Sequence, residues 1–114
     1  MKKDELIELL KSLGIAVNEG ESSIANSKVY PRIVFWDYIW EDKVASDETY
    51  STVETYQISF FAREPRNPAL LKLRDRLREY GIHPIIQHEY IADTGKDKKC
   101  YHSFFNLEVT VENE

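Results

Sequence analysis

The sequence predicts an α+β fold in which one antiparallel sheet of four strands carries two helices on one face. Three observations lead to this prediction: two segments have leucines at helical spacing, four segments have extended character, and short polar stretches allow two hairpins. The predicted order along the chain is α-β-β-α-β-β. A length of 114 residues fits a single domain over residues 1–114.

The two helices are predicted from leucine spacing and from their terminal residues. Residues 4–13 contain four leucines at helical spacing, and Gly14 follows as a C-cap. The second helix begins with Asn67 as N-cap and Pro68 at the first helical position, and it ends at Gly81. Each helix therefore presents one apolar stripe to the sheet.

The first strand, Tyr30–Trp40, is apolar on both faces. Because side chains alternate along a strand, one face carries Ile33, Phe35 and Ile39, and the other carries Val34, Trp36, Tyr38 and Trp40. Antiparallel sheets in small domains usually bury one face and expose the other to water. The second aromatic row is therefore predicted to be an interaction surface. A one-residue bulge would exchange the two faces.

The remaining strands are predicted over residues 50–63, 85–92 and 99–111, the last of which has the clearest alternation in the chain. We expect the core between the two helix stripes and the sheet face that contains Leu107 and Val109. The polar segments 18–28 and 41–49 show no periodicity, so they are predicted to be poorly ordered in an isolated protomer.

Composition limits the possible function. The net charge is -5 and the isoelectric point about 5.2, which opposes non-specific binding to nucleic acid because that binding needs a basic face. Cys100 is the only cysteine, so an intrachain disulfide is impossible. No apolar run has the length of a signal peptide or a membrane span. We therefore expect a soluble, intracellular protein with no membrane partner.

Metal binding and catalysis are not predicted. His88, Cys100 and His102 are expected to share one face of the last hairpin, but their spacing matches no metal-binding motif and favours a polar surface. Most acidic residues of the first hairpin lie in a polar loop, and only Asp37 interrupts an apolar strand. Nucleophile motifs and glycine-rich phosphate loops are absent from the sequence. The expectation is a protein without catalytic, metal-binding or cofactor-binding residues, and not an enzyme.

The order of these segments resembles a known family. ELIELLKSLGI is followed by YPRIVFWDY, then by TYQISFFAREPRNPALLKLRDRL and finally by YHSFFNLEV. This pattern resembles the small tail-completion, or tail-terminator, proteins of long-tailed phages and prophages of Gram-positive bacteria, over nearly the whole chain. The likeness lies in the elements and aromatic positions, not in a catalytic signature. One departure is the triplet at residues 60–62, Phe-Phe-Ala, where the family usually has a Leu-Tyr-Thr-like sequence.

The resemblance implies a structural virion protein. In that family an α+β protomer forms a ring, commonly six-fold, which caps the tail tube, stops its growth and prepares head–tail joining. The implied partners are further copies of the chain, the tail tube protein and the head connector protein. The implied location is the virion tail, assembled in the cytoplasm of a bacterial host. Two alternatives remain open: a head–tail connector subunit, and a small RNA- or protein-binding module that uses the aromatic sheet face.

A ring needs two different complementary surfaces on each protomer. The candidate interface combines an apolar row with two charged groups, and it consists of Trp36, Tyr38, Trp40, Asp42, Asp47, Glu48, Arg74 and Arg78. We expect the aromatic row to supply affinity, and the acidic loop and basic helix side to fix the register between neighbours.

Overall fold

The computed structural model describes residues 1–20, 29–44, 50–92 and 99–112. Its elements in chain order are α1 (Lys3–Lys11), β1 (Ala16–Glu19), β2 (Arg32–Val44), β3 (Tyr50–Ala62), α2 (Pro68–Glu79), β4 (Gln87–Ala92) and β5 (Lys99–Glu112). The α+β class predicted from the sequence is confirmed. Within the described ranges, no helix combines the length and apolar character of a membrane span.

The sheet has five strands in the order β1-β2-β3-β5-β4, so the prediction of four strands is wrong. The additional strand, Ala16–Glu19, pairs in parallel with β2, which makes the sheet mixed; the other pairs are antiparallel, as expected. A four-residue strand has too few residues for a readable alternation. Its pairing depends on Val17, which lies beside Ile33 and packs against the core.

The core lies between the two helices and one face of the sheet. Both helices contribute to a single apolar cluster through the leucines predicted for their stripes: Leu6, Leu9, Leu10, Leu13, Leu70, Leu73 and Leu77. The opposing strand residues alternate, and they include Phe35 in β2, Ile58 and Phe60 in β3, and Phe105 and Leu107 in β5. Both helices therefore lie on the same side of the sheet, which we call the helix side.

A bulge in β2 changes which residues share a face. The register with β3 shifts between Asp37 and Ile39, so that Ile39 lies opposite Thr55 and Trp40 lies opposite Glu54. Glu54 is buried on the helix side. The expected row of Trp36, Tyr38 and Trp40 is therefore wrong for Trp40, which lies on the helix side. The physical reason is the extra residue, because each inserted residue reverses the alternation beyond it.

Strands β2 and β3 have 13 residues each, and β5 pairs with β3 as far as Ser51 and Glu112; the far part of these strands, from Trp40 onward in β2, is here called the arm. The molecule measures 58 × 28 × 22 Å. The polar segment expected at 41–49 begins later than predicted, since residues 41–44 still belong to β2. The first polar segment, expected at 18–28, also begins later than predicted, since residues 18 and 19 belong to β1. The poor order predicted for the two segments concerns mainly residues 21–28 and 45–49, which lie outside the described residues.

A buried polar group joins α1 to the central strand. The hydroxyl of Tyr56 donates to Glu54 Oε1 at 2.9 Å, and Lys3 Nζ lies 3.6 Å from the same oxygen. Glu54 is only 3% exposed and Tyr56 is fully buried. A buried carboxylate needs such partners, because an unpaired charge in the interior is costly.

This buried group predicts that stability falls at alkaline pH. Burial raises the pKa of Tyr56 to about 12, and the hydrogen bond to Tyr56 raises the pKa of Lys3 to about 12. Both shifts favour the protonated forms in the folded state. Their contribution is complete below about pH 10, where the unfolded groups are still protonated, and it is lost as the pH rises through about 12.

We therefore expect the free energy of unfolding of the wild-type protein to decrease between about pH 10 and pH 12. Tyr56→Phe removes one hydrogen bond at neutral pH, a loss of about 1 kcal/mol, and should show a smaller decrease above pH 10. Urea denaturation at several pH values measures both effects. The control is Tyr80→Phe, since Tyr80 is exposed. An identical alkaline decrease in Tyr56→Phe and wild type would contradict the assignment.

Candidate interaction surface on the free face of the sheet

The sheet face opposite the helices, here called the free face, is rich in aromatic side chains. Strand register places Trp36 of β2, Phe61 of β3, and His102 and Phe104 of β5 on this side, because they alternate with core residues. The bulge adds Ile39 to the same face. The free face is therefore the candidate functional site.

A ladder of stacked planar side chains crosses the free face. Its members are Arg63, Tyr30, Arg32, Phe61, His102 and Phe104. The guanidinium carbon of Arg32 lies 4.7 Å from the ring centroid of Tyr30 and 4.5 Å from that of Phe61. The Phe61 and His102 rings are 4.6 Å apart with planes at 5°. The His102 and Phe104 rings are 4.8 Å apart with planes at 26°.

The ladder orders the free face within a single chain. Each cation–π contact contributes about 0.5–1 kcal/mol or more, and stacked rings add a similar amount beyond the burial of their area. Beneath and beside the ladder, Val34 and Ser59 are buried although they point away from the helices. A partner that binds here would therefore meet side chains that are already held in place, which lowers the entropy lost on association.

His102 combines stacking with an unsatisfied nitrogen. Its Nδ1 lies 2.7 Å from Glu89 Oε1 on the neighbouring strand, so Nδ1 is the nitrogen placed to donate. Its Nε2 is buried and has no hydrogen-bond partner among the described residues. The other candidate ligand, His88, lies on the helix side, where its Nδ1 is 2.7 Å from Ser103 Oγ.

The expectation that His88 and His102 share a face is therefore wrong. They belong to neighbouring strands, but they occupy successive positions in the register between β4 and β5, so their side chains point to opposite faces of the sheet. No group of three or more histidine, cysteine, aspartate or glutamate side chains in the described part of the chain is placed to hold a metal ion.

The exposed apolar part of the free face lies next to the ladder. Tyr38 is 48% exposed and Ile39 47% exposed, whereas Trp36 is half-buried. Tyr38 lines a shallow depression together with Gln57 and Asn106, which lie on the same face. Two of the three predicted aromatic residues, Trp36 and Tyr38, are thus brought together here, and Ile39 takes the place that was expected for Trp40.

The predicted charged residues are not brought together within one chain. Asp42 is exposed near the end of the arm, where it accepts a hydrogen bond from Thr52 Oγ1 at 3.1 Å. On α2, Arg74 and Arg78 both pair with Asp75, at 3.3 and 3.5 Å. Asp47 and Glu48 lie outside the described residues. An exposed arginine that shares a carboxylate in its own chain is a weaker partner for a neighbour.

Asp37, the acidic residue that interrupts β2, is explained by the bulge. Its carboxylate accepts a hydrogen bond from the Trp40 indole nitrogen. The register places both side chains on the helix side of the sheet.

The ladder was not identified from the sequence. Phe61 and Phe104 do occur out of phase with the core residues of their strands, which is a readable signal for a second apolar face. The contacts of Tyr30 and Arg32 with Phe61 and its neighbours depend on strand pairing and on the approach of the chain to β2. These contacts belong to the tertiary structure, so local sequence patterns do not predict them.

The chain was compared with known proteins, and neither of two comparisons gives a match. A scan against models of protein families finds no match for the chain, and a search of the curated proteins finds no significant one.

The ladder predicts that Phe61 stabilises the fold although it lies on the free face. Phe61→Ala removes the contacts to both Arg32 and His102, so we expect the free energy of unfolding to fall by about 2 kcal/mol. The matched control is Ile39→Ala on the same face, for which we expect a change within about 0.5 kcal/mol. Urea denaturation measures both. Equal losses for the two variants would show that the ladder does not stabilise the protomer.

Proposed function

We propose that the protein is a structural subunit of a phage tail. In this proposal, copies of the chain form a ring that caps the tail tube, ends its growth and prepares the tail for joining to the head. The sequence supports it through the resemblance to tail-completion proteins over nearly the whole chain. The feature of the structure that carries it is the free face, where exposed apolar side chains lie beside an ordered ladder.

The free face suits a protein partner. Exposed Tyr38 and Ile39 supply apolar area next to side chains that are already ordered, and interfaces between proteins are enriched in aromatic residues and arginine. The proposal therefore assigns the free face to contact with the tail tube protein.

Nucleic acid fits this face less well. Base stacking needs exposed ring faces, but in the ladder Phe61 has Arg32 on one side and His102 on the other. Such rings present mainly their edges to a partner. The net charge of -5 also opposes attraction of a phosphate backbone. We therefore favour a structural role over an RNA-binding module.

A head–tail connector subunit is the alternative within the same setting. It would use the same face against a different partner, the head connector. The location of the protein in a partially assembled virion separates these roles.

Electron microscopy of gold-labelled protein mixed with purified tail tubes tests the proposal. We expect label at one end of the tubes, the end that joins the head, and no label along their length. Tyr38→Ala should reduce the labelled fraction at least about tenfold, because it removes exposed apolar area from the free face. The matched control is Tyr80→Ala, since Tyr80 is 47% exposed and follows α2, away from the free face.

Two results would contradict the proposal. Tubes without bound protein would exclude the terminator role, and label on isolated head connectors in place of tubes would assign the protein to the connector. Equal loss of label in Tyr38→Ala and Tyr80→Ala would show that the free face is not the surface that binds the tube.

A further inference from the structure

Trp40 is a large apolar side chain that is exposed to solvent. It is 72% exposed, and it lies on the helix side of the sheet, opposite Glu54 of β3. Its indole nitrogen donates to the carboxylate of Asp37, so the ring is restrained rather than free to rotate. A restrained and exposed tryptophan loses little conformational entropy when a pocket receives it.

The helix side also carries a pocket at the opposite end of the sheet. It has a volume of about 460 Å³, and we call it the end pocket. Strand residues form its floor and one wall, and the first turns of α2 form the other wall. Its apolar and aromatic lining consists of Phe60, Ala62, Leu70, Tyr90 and Tyr101.

The end pocket is lined by groups that suit an indole. The rings of Tyr90 and Tyr101 are 5.2 Å apart and tilted by 53°, which leaves ring surface available for a third aromatic group. Polar atoms stand at the rim: His88 with Ser103, and the Glu64 carboxylate, which accepts a hydrogen bond from Asn67. A buried indole N–H generally needs an acceptor. For Trp40 this acceptor is the Asp37 carboxylate of its own chain.

Trp40 of the same chain cannot reach this pocket. Trp40 lies opposite Glu54 on β3, and the pocket floor lies at Ala62 on the same strand. Eight residues along a strand span about 26 Å, which exceeds the length of any side chain. Trp40 could therefore enter such a pocket only on a second copy of the chain.

The charges of the two surfaces are complementary. The strand around Trp40 carries Asp37, Glu41 and Asp42, with Lys43 paired to Glu41. Next to the end pocket, a smaller pocket is lined by Arg66 and Arg74 together with His88.

The acidic groups near the end pocket reduce this positive charge only in part. Glu89, which lines the pocket, binds His102 through its carboxylate on the free face. Asp75 pairs with Arg74. Glu64, which accepts a hydrogen bond from the neutral Asn67 side chain, stays exposed at the rim. Arg66 is the exposed cation of the rim and of the neighbouring pocket.

We infer that Trp40 of one copy of this chain inserts into the end pocket of a second copy. The two surfaces differ and lie at opposite ends of the molecule, so the contact is heterologous and repeats from copy to copy. Such a contact gives a ring when the rotation closes, which would supply the ring closure that the proposed function requires. The free face remains available for the tube.

Sedimentation of the full chain, followed up to about 1 mM so that weak association is seen, tests the contact. We expect wild-type oligomers larger than a dimer, and an association about 30-fold or more weaker in Trp40→Ala. The matched control is Tyr80→Ala, an exposed aromatic residue at the end of α2 that lines neither the end pocket nor the free face, which should associate as wild type does. Circular dichroism shows whether each variant is folded.

Disulfide cross-linking gives a second readout that keeps Trp40 in place. In a Cys100→Ser background, Asp42→Cys with Arg66→Cys places one thiol on the arm and one beside the end pocket. Under mild oxidation, we expect covalent chains of three or more copies. Either single substitution can give at most a covalent dimer.

Association of Trp40→Ala equal to that of wild type, or double-cysteine protein that stops at dimers, would overturn the inference. Wild-type protein that stays monomeric throughout, together with double-cysteine protein that forms no covalent chains, would overturn it as well. The tube-binding measurement separates this from the proposed function. A chain that caps tubes but associates independently of Trp40 would refute the Trp40 contact and keep the terminator role. Trp40-dependent oligomers that do not bind tubes would keep the contact and refute that role.

Discussion

The central strand β3 packs apolar side chains on both of its faces, and the rest of the structure depends on this arrangement. On the helix side, Tyr56, Ile58 and Phe60 are almost completely buried beneath the helices. On the other side, Ser59 and Phe61 have no helix above them. The ladder covers that second face with side chains from β2 and β5, so the face is ordered although no helix of the described residues packs on it.

The bulge at Asp37 and Ile39 links this fold to the proposed assembly. By inserting one residue, it leaves Trp36 on the free face and moves Trp40 to the helix side of the arm. A single strand thereby serves two surfaces, one proposed for the tube and one for a neighbouring copy. Heterologous rings require such a pair of surfaces on each subunit, and the bulge supplies them without additional chain length.

Local periodicity was sufficient to predict both helices, four of the five strands and most of the core. Leucine spacing identifies the buried faces of α1 and α2, and alternation identifies the core side of β3 and β5. The missed features are non-local. The parallel pairing of Ala16–Glu19, the stacking of Arg32 against Phe61 and the polar group around Glu54 all depend on residues far apart in sequence. The bulge could be anticipated as a possibility, but alternation alone does not place it.

We propose that the tail tube covers the free face when the protein acts. A cryo-electron microscopy structure of a tail tube with its bound terminal ring tests this most directly. We expect a ring of this chain in which Trp36, Tyr38 and Ile39 are buried against tube subunits while the ladder keeps its stacking. A ring that leaves this face open to solvent, or a tube end without the protein, would contradict it.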